Sequence, residues 1–182
     1  DLGVDPTERH AAGRLRAEDH ISQSMPYDEM LSWLLFYTGI LDLQRLPQME
    51  IADPHGLVQS QAIINADQSL RLILNGSVAT RTLSARFISE FFGSGVQHIA
   101  FLVKEIIPAV EFLRGKGIQF LPAPGAYYDQ LPKRLADVKL TNVKEPMDLL
   151  RKNHVLMDGA DGEYLLQIFL LDARAMDGHD KA

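Results

Sequence analysis

Over Asp19 to Ser24 the period of two of a predicted strand sets His20, Ser22 and Ser24 on one face. After Pro26 the period changes. Asp28 and Glu29 occupy a predicted first helical turn, where carboxylates suit the positive end of the dipole. Met30, Leu31, Leu34, Leu35 and Tyr37 then recur at helical spacing until Gly39 offers a stop. Strands follow over about Leu43–Ile51, Leu57–Ile64 and Leu70–Asn75, the latter pair joined by a turn at Asn65-Ala66-Asp67-Gln68. This first stretch reads β-α-β-β-β.

A connector helix is predicted over Leu83–Phe91, with Leu83, Phe87, Ile88 and Phe91 on one side and Gly93 and Gly95 ending it. Val96–Val103 reads as a strand, and Ile106–Lys116 as a helix with Val110, Phe112 and Leu113 apolar, closed by Gly117 before a strand at Ile118–Leu121. Residues 122–153, with Pro124, Pro132 and Pro146, form an insertion carrying short helices at Tyr127–Leu135 and Pro146–Lys152. A segment of that length is a lid, a binding loop or a packing elaboration. Strands at Val155–Met157 and Tyr164–Leu171 close the pattern. In the last of them Gln167 sets an amide inside an apolar element, where it needs a partner, and it shares a face with Phe169. The expected organisation is α+β: a linker over 1–18, a first module with its connector over 19–92, a second module over 93–171, and a disordered tail over 172–182.

The two modules repeat one feature. Asp19-His20-Ile21-Ser22 and Gln97-His98-Ile99-Ala100 each place a histidine in a strand that precedes an amphipathic helix. Phe36 lies 16 residues after His20 and Phe112 lies 14 after His98, a slip that a helix entry loop absorbs. A lone buried histidine is more often a hydrogen-bonded core residue than a ligand, and the repetition shifts that weighting. Two tandem βαβββ modules close their sheets into a cupped half-barrel, with His20 and His98 facing each other from the first strands. Two imidazoles and a carboxylate hold a divalent metal facially, and Fe(II), Mn(II), Co(II), Ni(II) and Zn(II) all suit such donors. His10, His55, His154 and His179 read as structural or exposed, with His55 near the cavity mouth, and Tyr127 and Tyr128 as lid or core packing.

Composition narrows the partner. At 182 residues and 46% hydrophobic content the chain can bury a sizeable core. A net charge of -6 without a basic run argues against nucleic acid and for a small molecule. The absence of cysteine excludes disulfides, thiolate nucleophiles and Cys-ligated metal, and fits a reducing cytoplasm. The apolar runs are too short for a membrane span, and the first 18 residues have no signal-peptide core.

Several blocks carry a family resemblance. Gly95-Val96-Gln97-His98-Ile99-Ala100, Tyr127-Tyr128-Asp129-Gln130-Leu131 with Arg134, and Tyr164-Leu165-Leu166-Gln167-Ile168-Phe169 resemble the catalytic half of the 4-hydroxyphenylpyruvate dioxygenases, in the vicinal oxygen chelate superfamily. Asp19-His20-Ile21-Ser22, Ser24-Met25-Pro26-Tyr27-Asp28, Trp33, Phe36-Tyr37 and Asp53-Pro54-His55-Gly56-Leu57-Val58 are similar to the dioxygenase-like domain fused to some bacterial 3-dehydroshikimate dehydratases. The resemblance implies metal ligands at His20 and His98. It implies substrate-binding residues at Ser60, Asn75, Gln97 and Gln167, with an aromatic wall at Phe169. It also implies Fe(II), with Mn, Co, Ni, Zn or Mg as alternatives, and an aromatic 2-oxoacid and dioxygen as partners. Ile73 stands where the family usually has proline, and no Glu-bearing strand of the family type follows Leu171. The third ligand is therefore unassigned: the chain is truncated, the site is incomplete, or a substitute such as Glu163 is recruited. A missing last strand would leave an open sheet edge and favour a homo-oligomer. Two other readings stand beside the dioxygenase, a non-catalytic partner domain of a dehydratase and a metal-free binding protein of the same fold.

Overall fold

The computed structural model describes residues 15–53, 55–137, 143–160 and 163–170, which fall into two compact units dividing after Leu102. In the first unit, strand β1 (Leu15–Pro26) starts inside the expected linker, because Arg16 and Glu18 sit on its exposed end and mask the strand pattern. Its middle, Ser22 to Met25, is buried on both faces, so the small hydroxyls alternate with core residues rather than with solvent-facing ones.

Helix α1 (Tyr27–Ile40) begins behind Pro26, with Asp28 and Glu29 in the first turn as expected. Met30 and Leu34 enter a core with Met25, Leu43, Ile63, Leu72 and Leu74, edged by Ile21, Trp33, Tyr37 and Leu70. Leu31 and Leu35 turn outward, so only part of the anticipated stripe is core. The helix also passes through Gly39, and the left-handed residue beyond it is Asp42, with φ of 52°. The strand expected over 43–51 divides into β2 (Gln44–Arg45) and β3 (Met49–Asp53) around Pro47, which has no amide hydrogen to give a ladder. Both pair antiparallel with β4 (Gly56–Ile64).

Strand β5 (Arg71–Ser77) is antiparallel to β4 and parallel to β1, which sets Asn75 between Ser60 and Ser24. The β4–β5 turn is held by its own side chains. Asp67 Oδ1 accepts from the Ser69 amide at 3.1 Å, and Asn65 Oδ1 accepts from the Leu70 amide at 2.9 Å. Helix α2 (Leu83–Phe91) is capped by Thr82, whose hydroxyl accepts from the Ala85 amide at 3.1 Å. The chain turns at Phe92 and Gly93 into β6 (Gly95–Val103), giving the sheet order β2-β4-β5-β1-β6 with β3 also on β4.

The histidine strands are therefore neighbours in one sheet, and His20 and His98 face each other across that pair. The expectation that His98 is buried among apolar side chains is corrected. Among the described residues β6 ends the sheet order, and His98, Val96, Ile99, Phe101 and Leu102 are exposed, since a strand with one neighbour gains cover from one side only.

In the second unit, α3 (Ile106–Gly115), α4 (Gly125–Asp137) and α5 (Met147–Asn153) accompany a hairpin of β7 (Leu156–Ala160) and β8 (Glu163–Gln167). The strand foreseen at Ile118–Leu121 is reduced to one bridge, Phe120 with Leu170. Val110, Tyr128, Leu131, Leu135, Leu150, Val155 and Met157 form the core, so the described part of the insertion is packing and not a lid. Tyr127 supports the same reading, because its hydroxyl donates to the Met157 carbonyl at 2.6 Å and accepts from the Met157 amide at 2.9 Å. His10, His179 and the expected tail lie outside the described residues. No helix among the described residues is long and apolar enough to cross a membrane.

Candidate metal centre

Strand pairing of β1 with β6 brings His20 and His98 together from 78 residues apart, with their Nε2 atoms separated by 3.2 Å. The rings meet edge to face, with centroids 5.4 Å apart and planes at 78°. The remaining nitrogen of each ring has its own acceptor. His20 Nδ1 donates to Asp19 Oδ2 at 2.7 Å, and His98 Nδ1 donates to the Gln97 side-chain oxygen at 3.2 Å. Around a shared cation both Nδ1 atoms would keep these protons, and both Nε2 atoms would turn lone pairs toward the same point.

Two lone pairs at that spacing repel unless a cation or a proton lies between them. Nitrogen ligands about 2.0–2.1 Å from one metal stand roughly 2.9–3.4 Å from each other, so the observed pair fits a shared divalent ion. Electrostatics agree in direction. The His98 imidazole is held below its ordinary pKa by desolvation first and by the neighbouring His20 second, which favours the neutral, ligating form at neutral pH.

Below the pair lies a buried polar row. Ser22 and Ser24 have no exposure, and Ser60 and Asn75 are buried beside them. Asn75 Nδ2 donates to Ser22 Oγ at 2.9 Å, and Ser24 Oγ donates to Ser84 Oγ at 3.4 Å. Asn75 Oδ1 is buried without a partner. Four expected site residues, His20, His98, Ser60 and Asn75, thus lie in one unit, with Gln97 turned to His98. Gln167 and Phe169 belong to the other unit, where Gln167 is half-buried and Phe169 exposed, its carbonyl accepting from the Leu121 amide at 2.8 Å.

Glu163 opens β8 at an exposed position, also in the second unit. Among the described residues no group of three or more histidines and carboxylates gathers as a metal cluster. His55 occupies the exposed turn between β3 and β4, and His154 is the left-handed residue that ends α5. Sequence reasoning passed over Asp19 and Arg71. The only signal was an acidic residue directly before the first histidine, and Arg71 becomes relevant through the β1–β5 pairing that places its guanidinium 4.0 Å from Asp19 Oδ1.

Residues 19–134 match the Glyoxalase/Bleomycin resistance protein/Dioxygenase superfamily, and the chain belongs to that family. It is 35% identical over 175 residues to 4-hydroxyphenylpyruvate dioxygenase of Caenorhabditis briggsae, covering 91% of this chain and 44% of that protein. It is 39% identical over 120 residues to 3-dehydroshikimate dehydratase of Pseudomonas aeruginosa, covering 66% of this chain and 19% of that protein. A triple mutant of 4-hydroxymandelate synthase from Streptomyces coelicolor superposes with a TM-score of 0.72 at 29% identity, covering 93% of this chain and 47% of that one. The chain spans less than half the length of these relatives.

Proposed function

We propose that this chain is a non-haem, metal-dependent oxygenase unit that acts on an aromatic 2-oxoacid with Fe(II) held by His20 and His98. The observation that carries this reading is the approach of the two Nε2 atoms to 3.2 Å. The likeness to 4-hydroxyphenylpyruvate dioxygenases over most of the chain supplies the substrate class. When bound, Fe(II) supplies the Lewis acidity and redox capacity that oxidative decarboxylation and ring hydroxylation need. The chain's own residues hold and orient. His20 and His98 offer neutral nitrogens, and Asp19 and Gln97 keep the Nδ1 protons away from the metal side. Asn75 Oδ1 offers an unused acceptor to a substrate hydroxyl, with Ser60 as its neighbour on β4.

The test is oxygen uptake with 4-hydroxyphenylpyruvate after anaerobic Fe(II) loading, with His98→Ala alongside. Uptake in the wild type that the variant lacks supports the reading, and equal slow uptake in both sinks it. Loading with Mn, Co, Ni, Zn or Mg in parallel decides the metal.

A second reading rests on the 39% identity to a 3-dehydroshikimate dehydratase and on a donor set that gathers two histidines among the described residues. In it the chain is a metal-binding partner domain without oxygenase turnover. Bound metal with no oxygen uptake selects this reading.

A further inference from the structure

An imidazole left to itself favours the tautomer with its proton on Nε2, which would place a hydrogen where His20 must offer a lone pair. The chain opposes that preference with a charged acceptor. Asp19 divides its carboxylate between two neighbours: Oδ2 lies 2.7 Å from His20 Nδ1, and Oδ1 lies 4.0 Å from Arg71 Nη1 on the adjacent parallel strand. Asp19 and His20 are about one-quarter to one-third exposed, at 30% and 25% of their side chains, so the contact is partly shielded from water. Arg71 Nε is buried without a partner, which leaves the carboxylate as the one ion-pair contact of its guanidinium among the described residues.

We infer that Asp19, steadied by Arg71, is a positioning residue that fixes His20 in the Nδ1–H tautomer before any cation arrives. The inference rests on His20 and His98 being the metal ligands, but its central statement concerns the metal-free protein. The two supports differ in strength. A carboxylate at 2.7 Å makes a charge-assisted bond, whereas an amide oxygen at 3.2 Å makes a neutral one, so His20 is the more firmly set ring. His98 is then the ring that adjusts when a ligand enters.

The experiment is a two-bond 1H–15N correlation on metal-free protein labelled at histidine, recorded about two units above the ordinary imidazole pKa. In the wild type His20 is expected to show a protonated Nδ1 and a bare Nε2. In Asp19→Ala the pattern shifts toward Nε2–H for His20, and in Gln97→Leu the His20 pattern stays. Asp19→Asn keeps an acceptor oxygen and gives an intermediate His20 population, which preserves the comparison if the alanine variant does not fold. Co(II) affinity, measured by competition with a chromophoric chelator, falls roughly 10–100-fold in Asp19→Ala and less in Asp19→Asn. Arg71→Met lowers Co(II) affinity less than Asp19→Ala and leaves the tautomer in place. A wild-type His20 that is mainly Nε2–H, or an Asp19→Ala protein with the wild-type pattern, overturns the inference. A wild type with the expected tautomers that binds no Co(II) sinks the metal reading and leaves the tautomer assignment standing.

Discussion

Asn75 Nδ2 donates to Ser22 Oγ at 2.9 Å across the parallel β5–β1 pair, while Asn75 Oδ1, on the same buried side chain, has no partner. A protein that leaves an acceptor dry sacrifices its hydration, on the order of 1–3 kcal/mol. A ligand hydroxyl or amide that reaches Oδ1 recovers that loss. Asn75→Leu removes the orphan along with the Ser22 bond, and the two effects oppose each other. Urea unfolding is expected to change by no more than about 1 kcal/mol. Under the oxygenase reading KM for the 2-oxoacid rises about tenfold, the cost of one lost bond near 1.4 kcal/mol. A large stability loss with unchanged KM would assign Asn75 to the core alone.

Acid should weaken the metal-free fold through His98. Its folded pKa lies below the ordinary value near 6.5, by desolvation first and by His20 second. The unfolded chain then binds the proton more readily than the folded one, so stability rises with pH across the interval between the two values. The contribution is intact above about 6.5 and is lost as pH falls toward the lowered folded value. Unfolding midpoints of the wild type and His98→Gln between these limits are expected to converge on acidification. Parallel curves would mean that His98 titrates like a free imidazole.

Close approach of α1 to β5 depends on a missing side chain. A Cβ on Gly76 would meet Met30 Sδ at 2.8 Å and the Tyr27 Cα at 3.3 Å. Met30 can move, but the Tyr27 backbone at the start of α1 cannot without shifting the helix. Gly76→Ala is expected to destabilise by about 1–3 kcal/mol, and Gly76→Ala with Met30→Ala by less than the sum of the single changes. Strict additivity in a thermal-melt cycle would remove Met30 as the obstacle.

Periodicity located α2 to the residue, and β4 and β5 to within two, because their patterns end at turn residues whose chemistry is local. The split of β2 from β3 followed from Pro47, a signal present in the sequence but outweighed by the apolar run around it. What local pattern could not supply was sheet order. The repeat identified His20 and His98 as equivalent, yet whether equivalent strands face or adjoin depends on pairing between distant segments. The roles of Asp19 and Arg71 were hidden for the same reason, since Arg71 meets Asp19 only through the parallel register of β1 and β5. Gln23 stands in the same position: the sequence shows a polar residue in a strand, and only packing shows that its partner is an aromatic hydroxyl on the following helix.

That partnership makes the last prediction. Tyr37 on α1 donates its hydroxyl to the Gln23 side-chain oxygen at 2.8 Å, and Gln23 lies in the buried middle of β1. Desolvation raises the Tyr37 pKa, which keeps the phenol protonated and the bond intact well into alkaline conditions. Tyr37→Phe leaves the Gln23 acceptor buried and unpaired and is expected to cost about 1–3 kcal/mol. Gln23→Leu alone strands the phenol and costs a similar amount. The double variant replaces both polar groups with apolar ones of like size, so most of the loss should return, with a coupling of about 1 kcal/mol or more in urea unfolding. Additive losses would mean that water already satisfies one of the two groups and that the α1–β1 contact is held by the apolar core of Met25, Met30 and Leu34 alone.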